Sequence, residues 1–147
     1  SPEPTFRSRF SAWLDAKYDL QADGSVTSTL TFKPEVEGAP GNLHGGISAA
    51  LLDEAMGGAV WAAGMRAMSV NLTINYRRPV AIDATVRVVG RVERVEGRKA
   101  FTSGVILLPD DTAAVEATGI YVEVPAHLIK QHEKFGQSDS EGTRNQG

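Results

Sequence analysis

His44-Gly-Gly-Ile-Ser-Ala-Ala-Leu-Leu-Asp53 is the stretch whose reading decides the fold. It leads into the longest apolar segment of the chain, Ile47 to Met65, near whose end Gly64 supplies a helix stop. Asp53 and Glu54 sit near the middle of that segment. Charge at that depth is costly in lipid, so the segment reads as a buried helix and not a membrane span. A helix lying on a sheet usually has one apolar stripe and one polar face. This one is apolar almost all round and needs cover on most sides, which a sheet curling around it would supply.

Steps of three and four from Asp53 lead to Ala49, Ala50, Met56 and Gly57, with Gly46 and Val60 one turn further out. Most of these are alanine or glycine, so the carboxylate is thinly covered, with Met56 the one long side chain in reach. No Lys or Arg shares that face. Isolated buried charge is unfavourable, so Asp53 must face a cleft or find a partner. It is either structural, bonded to nearby backbone or solvated at a groove between copies, or a reactive carboxylate. Glu54 points about 100° away and reads as solvated or salt-bridged. At the helix start the N–H groups of Gly45 and Gly46 lack intrahelical partners. With the partial positive charge of the helix end they suit an anion or a polarised carbonyl oxygen, and glycine lets a ligand come close.

Upstream, Phe6, Phe10, Trp13 and Leu14 recur at helical spacing and predict a short helix. Tyr18 to Phe32 reads as a hairpin turning at Asp23-Gly24, with Val26, Ser28, Leu30 and Phe32 on one face and Thr27, Thr29 and Thr31 on the other. Glu37 to Leu43 is a loop by its Gly and Pro content. Downstream, four segments alternate as strands do: Ser69 to Tyr76, Ala84 to Val95 with a slip near Gly90, Ala100 to Leu108, and Ala113 to Val124. Pro79, Gly97-Arg98 and Pro109-Asp-Asp111 mark the turns between them. Consecutive strands joined by short turns predict an antiparallel sheet of α+β class. The organisation is an N-terminal segment with a short helix over 1–16, one domain over 17–126, and a polar tail over 127–147 that reads as partly disordered.

The bulk numbers agree with one domain. The chain has 147 residues, 41% of them hydrophobic, and a formal net charge of -3. A nucleic-acid-binding domain would carry a basic surplus, so nucleic acid is not an expected partner. Cysteine is absent, which rules out a disulfide framework, a thiolate nucleophile and a cysteine-held zinc, and fits a reducing, cytoplasmic setting. Ser1 to Arg9 holds no apolar stretch of signal-peptide length, and Ser1 in place of Met reads as a processed or trimmed start. His44, His127 and His132 are scattered, so no metal and no cofactor is expected. Neither a Gly-x-Ser-x-Gly elbow nor a phosphate-binding loop occurs.

Taken together, His44-Gly-Gly with Asp53 nine residues after the His resembles the signature of the hot-dog fold thioesterases, in the branch of phenylacetyl-CoA and related acyl-CoA thioesterases. The resemblance runs over roughly Tyr18 to Val124 and includes Ser69 to Pro79 as the next strand and the Gly97-Arg98 turn. It implies an antiparallel sheet wrapped around the long helix, and hydrolysis of an acyl-CoA thioester. Asp53 would be the general base or nucleophile and the Gly45 N–H would polarise the thioester carbonyl. His44 would position loop or substrate, and Ser69 would hold the attacking water. It also implies a homodimer, commonly paired into a homotetramer, with His44 and Gly45 from one copy meeting Asp53 and Ser69 of the other. Asn42 and Gly46 would line the substrate site, and Arg77, Arg78, Arg98 and Lys99 are candidates for the coenzyme A phosphates. One position departs from the family pattern: many members carry Asn six residues before the His, and here that residue is Gly38. Gly38 favours the runner-up reading, a non-catalytic hot-dog protein that binds an acyl-CoA or another small apolar ligand. A dehydratase would need a different His and acid arrangement, and a scaffold would gain nothing from the acid at 53.

Overall fold

The structure, a computed structural model, describes residues 8–125, 127 and 128. Its elements are α1 (Arg9–Leu14), β1 (Asp19–Leu20), β2 (Val26–Thr31), a 3-10 turn (Pro34–Val36), α2 (Gly45–Ala62), β3 (Ala67–Tyr76), β4 (Thr85–Glu96), β5 (Lys99–Leu107) and β6 (Ala113–Glu123). The strands form one antiparallel sheet in the order β1-β2-β4-β5-β6-β3. Each long strand lies within two residues of its sequence reading. The expected N-terminal helix is present over Arg9–Leu14, while Phe6 and the tail from 129 onward lie outside the described residues. No helix among the described residues is long and apolar enough to cross a membrane.

Helix α2 packs against β2, β3, β4, β5 and β6, and of its residues only Gly46 and Trp61 are exposed. That burial answers the apolar character of its sequence. The helix-facing side of β2 is the one read from its alternation: Val26, Ser28, Leu30 and Phe32 are all buried. The sheet makes room for α2 with two glycines paired across β4 and β5, Gly90 and Gly104. A Cβ on Gly90 would lie 2.4 Å from the Ala55 carbonyl carbon and 2.6 Å from the Met56 nitrogen. The helix backbone therefore rests directly on the β4 backbone. The sequence slip in β4 has a different cause from the one expected at Gly90: the β-bulge falls between Val92 and Arg94, where Glu93 is the extra residue.

Strand β3 is an edge, ten residues long and exposing Met68 (58%), Val70 (63%) and Tyr76 (55%). A long apolar edge is a template for pairing with another strand. The opposite edge, β1, has two residues and offers little.

Candidate active site

Asp53 lies in the third turn of α2 beside a cleft of about 280 Å³ lined by Gly57, Gly58, Trp61, Ala67, Met68, Ser69 and Tyr121. The carboxylate is partly exposed and, among the described residues, not in an ion pair: its Oδ1 accepts a 2.6 Å hydrogen bond from the Tyr121 hydroxyl, which also lies 3.0 Å from the Asp53 carbonyl oxygen. Burial, followed by the adjoining Asp53 carboxylate, pushes the Tyr121 phenol well above its ordinary value, so it stays a donor. Ser69 is the register partner of Tyr121 across β3 and β6, so both side chains rise from the same face of the sheet toward α2. The expected cover of Asp53 is corrected here. Met56 and Val60 are fully buried beneath the helix, with Met56 Cγ 3.2 Å from where a Cβ on Gly104 would stand. Trp61, Met68 and Tyr121 shape the cleft instead.

Glu54 also departs from its expected solvated or salt-bridged state. Its Oε1 accepts from Ser8 Oγ at 2.6 Å, and its Oε2 is buried with no hydrogen-bond partner. Ser8 is the N-cap of α1, accepting from the Ser11 N–H, so one hydroxyl caps α1 and ties it to α2. Burial pushes the Glu54 carboxyl above the ordinary glutamate value of 4.5, partly opposed by the Ser8 bond. A raised carboxyl pKa means that the folded chain holds the proton more tightly than the unfolded one. Folding stability should therefore fall as pH rises from 4.5 through the raised value, and the loss is complete above it. Glu54→Gln lacks this titration. Its urea midpoint relative to wild type should accordingly climb between pH 4.5 and pH 8.

At the other end of the helix, His44 is the N-cap of α2, and its Nδ1 accepts from the Gly46 N–H at 2.9 Å. The Gly46 donor is thereby used, and the imidazole proton sits on Nε2 when the ring is neutral. Among the described residues nothing accepts from the Gly45 N–H, which is the free donor at the helix start. The Tyr76 hydroxyl donates to the Gly45 carbonyl at 2.6 Å and holds this turn against the end of β3. Gly45, Asn42, Ser48, Tyr76, Arg77 and Arg78 line a second cleft of about 290 Å³. Asn42 forms a bridge to Ala81, and its amide donates to the Pro40 carbonyl at 3.2 Å. Arg98 and Lys99 stand at the other end of the sheet, in the β4–β5 turn, where an Arg98 N–H donates to the Glu123 carbonyl.

Within one chain, then, six of the sequence-predicted residues fall into two groups, while His44, Gly46, Arg98 and Lys99 line neither cleft. Asn42, Gly45, Arg77 and Arg78 share one cleft, and Asp53 and Ser69 share the other. Eight residues of helix separate Gly45 from Asp53, about 12 Å at the α-helical rise. Tyr121 and Tyr76 went unread in the sequence. The available signal was that a tyrosine on the inward face of a strand needs a partner for its hydroxyl, as Asp53 needed one for its carboxylate.

Gly38 has a structural reason. A Cβ there would lie 2.8 Å from His44 Cα, because Gly38 N donates to Asn42 O and folds the loop tightly over the helix start. Gly38→Asn, the residue common in the resembled family, should therefore destabilise the chain by about 1–3 kcal/mol in urea denaturation by displacing the His44 turn.

Three comparisons bear on this arrangement. The family described as thioesterase superfamily matches residues 40–115. Acyl-coenzyme A thioesterase THEM4 of Xenopus laevis is 40% identical over 93 residues, 62% of this chain and 41% of that protein. The chain thus spans about two-fifths of that relative's length, and 38% of the length of the Bos taurus THEM4, which is 37% identical. The crystal structure of a thioesterase superfamily protein superposes with TM-score 0.71 at 34% identity, over 73% of this chain and 55% of that one. The E. coli PaaI protein of the phenylacetic acid degradation operon superposes with TM-score 0.75 over 81% of this chain and 86% of that one, and at 18% identity it shows the shared fold alone.

Proposed function

The chain belongs to the thioesterase superfamily, and from that premise we propose that it hydrolyses acyl-CoA thioesters in a homodimer or homotetramer, with Asp53 of one copy working beside Gly45 of another. The substrate class comes from its relatives, named acyl-coenzyme A thioesterases. A cytoplasmic setting belongs to the same proposal and is supported by the cysteine-free composition.

One observation carries the reading: an Asp53 carboxylate with no cation on it among the described residues opens onto a cleft, while the free N–H it would work with lies in a second cleft further up the same helix. Each cleft is small for a ligand of acyl-CoA size, since small-molecule pockets run to about 300–1,000 Å³. Antiparallel pairing of two β3 edges about their middle would set Ser69 of one copy opposite Ile74 of the other, two residues from Tyr76. That would bring the Asp53 cleft of one chain to the Gly45 cleft of its partner and join the two volumes. Arg98 and Lys99 would then flank the same opening as the partner's Arg77 and the partner's Arg78.

The chemistry this supports is brief. Asp53 draws a proton from a water held by Ser69, and the water oxygen adds to the thioester carbonyl. The Gly45 N–H, aimed by the α2 start and steadied by Tyr76, takes the developing oxyanion; such a donor contributes about 3 kcal/mol in comparable sites. Collapse breaks the C–S bond and releases the coenzyme A thiolate. A thiol of ordinary pKa, about 8.5, leaves without a strong acid beside it.

The test is turnover of an acyl-CoA panel, read as free thiol, with the chain alone and with mixtures of two variants. Asp53→Asn removes the base. Gly45→Pro removes the N–H at a helix position that accepts proline. Each alone should be inactive, and mixed copies should regain a substantial fraction of activity. Inactive mixtures of variants that still associate would rule out a shared site.

A further inference from the structure

We propose that Tyr121 is a positioning residue for Asp53: its hydroxyl holds Oδ1, leaving Oδ2 as the oxygen that meets water, and so sets the aim of the carboxylate. The inference rests on the hydrolase reading above and assigns a part to a residue that reading does not need.

The geometry that carries it begins with the ring. Tyr121 is 2% exposed and sits in a slot bounded by two glycines. A Cβ on Gly57 of α2 would touch its Cε1 at 3.4 Å, and a Cβ on Gly119, two residues earlier on β6, would press its Cε2 at 3.0 Å. Larger residues at these positions would push the ring aside, so the glycines fix the direction in which the hydroxyl points. That direction leads to Asp53. A phenol has one proton to give, and it goes to the nearer and charged acceptor, Oδ1 at 2.6 Å, in preference to the Asp53 carbonyl at 3.0 Å. The carbonyl, in the interior of α2, is already served by the helix. Among the described residues no hydrogen bond reaches Oδ2.

A carboxylate on a short side chain rotates freely unless something holds an oxygen, and misplacement of a catalytic group by an ångström is costly in rate. Burial keeps the phenol protonated throughout the working range, so the donor does not itself titrate away.

The experiment compares the full wild-type chain with Tyr121→Phe, and with 3-fluorotyrosine placed at 121, measuring kcat and KM on an acyl-CoA panel from pH 5 to pH 9. Phenylalanine keeps the ring in its slot and removes only the donor. It should lower kcat about tenfold through loss of aim and leave KM within about twofold. The fluorinated ring, still a donor and of nearly the same size, should keep kcat within about threefold of wild type and guards against a phenylalanine variant that fails to fold. A merely structural tyrosine would alter melting temperature and leave kcat and KM of the folded protein in place. Unchanged kcat in folded Tyr121→Phe, or an equal loss of kcat with the fluorinated ring, would overturn the role while sparing the hydrolase reading if wild type turns over. Absence of turnover by the wild type on every acyl-CoA would overturn that reading, and the role with it.

Discussion

Asp53→Asn should lower kcat/KM for acyl-CoA thioesters by about a thousandfold, within the range seen when a positioned general base is lost. The substitution keeps the shape of the side chain. Its amide oxygen can still accept from the Tyr121 hydroxyl that now meets Oδ1 at 2.6 Å, so the ring stays in place. What disappears is the capacity to take a proton from water. Because the carboxylate is partly exposed and has no cation beside it among the described residues, removing its charge strands no buried partner there. The melting temperature should therefore stay within a few degrees of wild type. Free-thiol release measured beside a thermal melt separates the two quantities. A variant that kept its activity within fivefold would remove Asp53 from the chemistry, whatever the fold.

Gly90→Ala should cost about 3 kcal/mol or more in urea denaturation, at or beyond the upper end of ordinary overpacking. The added methyl would meet backbone and not side chain: the Ala55 carbonyl carbon at 2.4 Å, its oxygen at 2.5 Å and the Met56 nitrogen at 2.6 Å. Backbone inside a hydrogen-bonded helix cannot swing away, so α2 must lift from β4 as a unit. Ala55 and Met56 follow directly on Asp53 and Glu54, so a surviving protein should also lose turnover as the carboxylate moves from Tyr121. Gly104→Ala provides the contrast. Its methyl would meet Leu52 Cδ2 at 3.1 Å and Met56 Cγ at 3.2 Å, side-chain atoms that can shift, and backbone only at the Val89 oxygen, 3.3 Å away. Its cost should be the smaller of the two, about 1–2 kcal/mol. Equal midpoints for the two variants would show that the helix does not rest on Gly90.

Both experiments act on features that differ in how far the sequence disclosed them. The helix, its glycine start and the lone acid were legible because the signal is local: an apolar run long enough for five turns, a stop at Gly64, and one carboxylate with small neighbours at helical spacing. The strands were legible from alternation, to within two residues at each end. Tyr121 was not linked to Asp53 because 68 residues separate them, and nothing in the period of β6 says which helix turn lies above it. Met56 was misassigned for a related reason. Helical spacing puts it next to Asp53, but the side of the helix that meets the sheet is decided by Gly90 and Gly104, which let α2 sink at that point. Glu54 was expected to be solvated or salt-bridged because its burial depends on α1 folding back and presenting Ser8.

By itself, then, the sequence determined the class of elements, the long buried helix and the residue types that carry chemistry, since periodicity, caps and glycine act over a few residues. Only the tertiary structure decided that β3, which follows α2 in the chain, leaves the place beside β4 and closes on β6 at the far edge. Strand order is set by which faces bury together over long separations, and no local pattern encodes it. That placement puts Ser69 beside Tyr121, the tyrosine under Asp53, and leaves a ten-residue edge open.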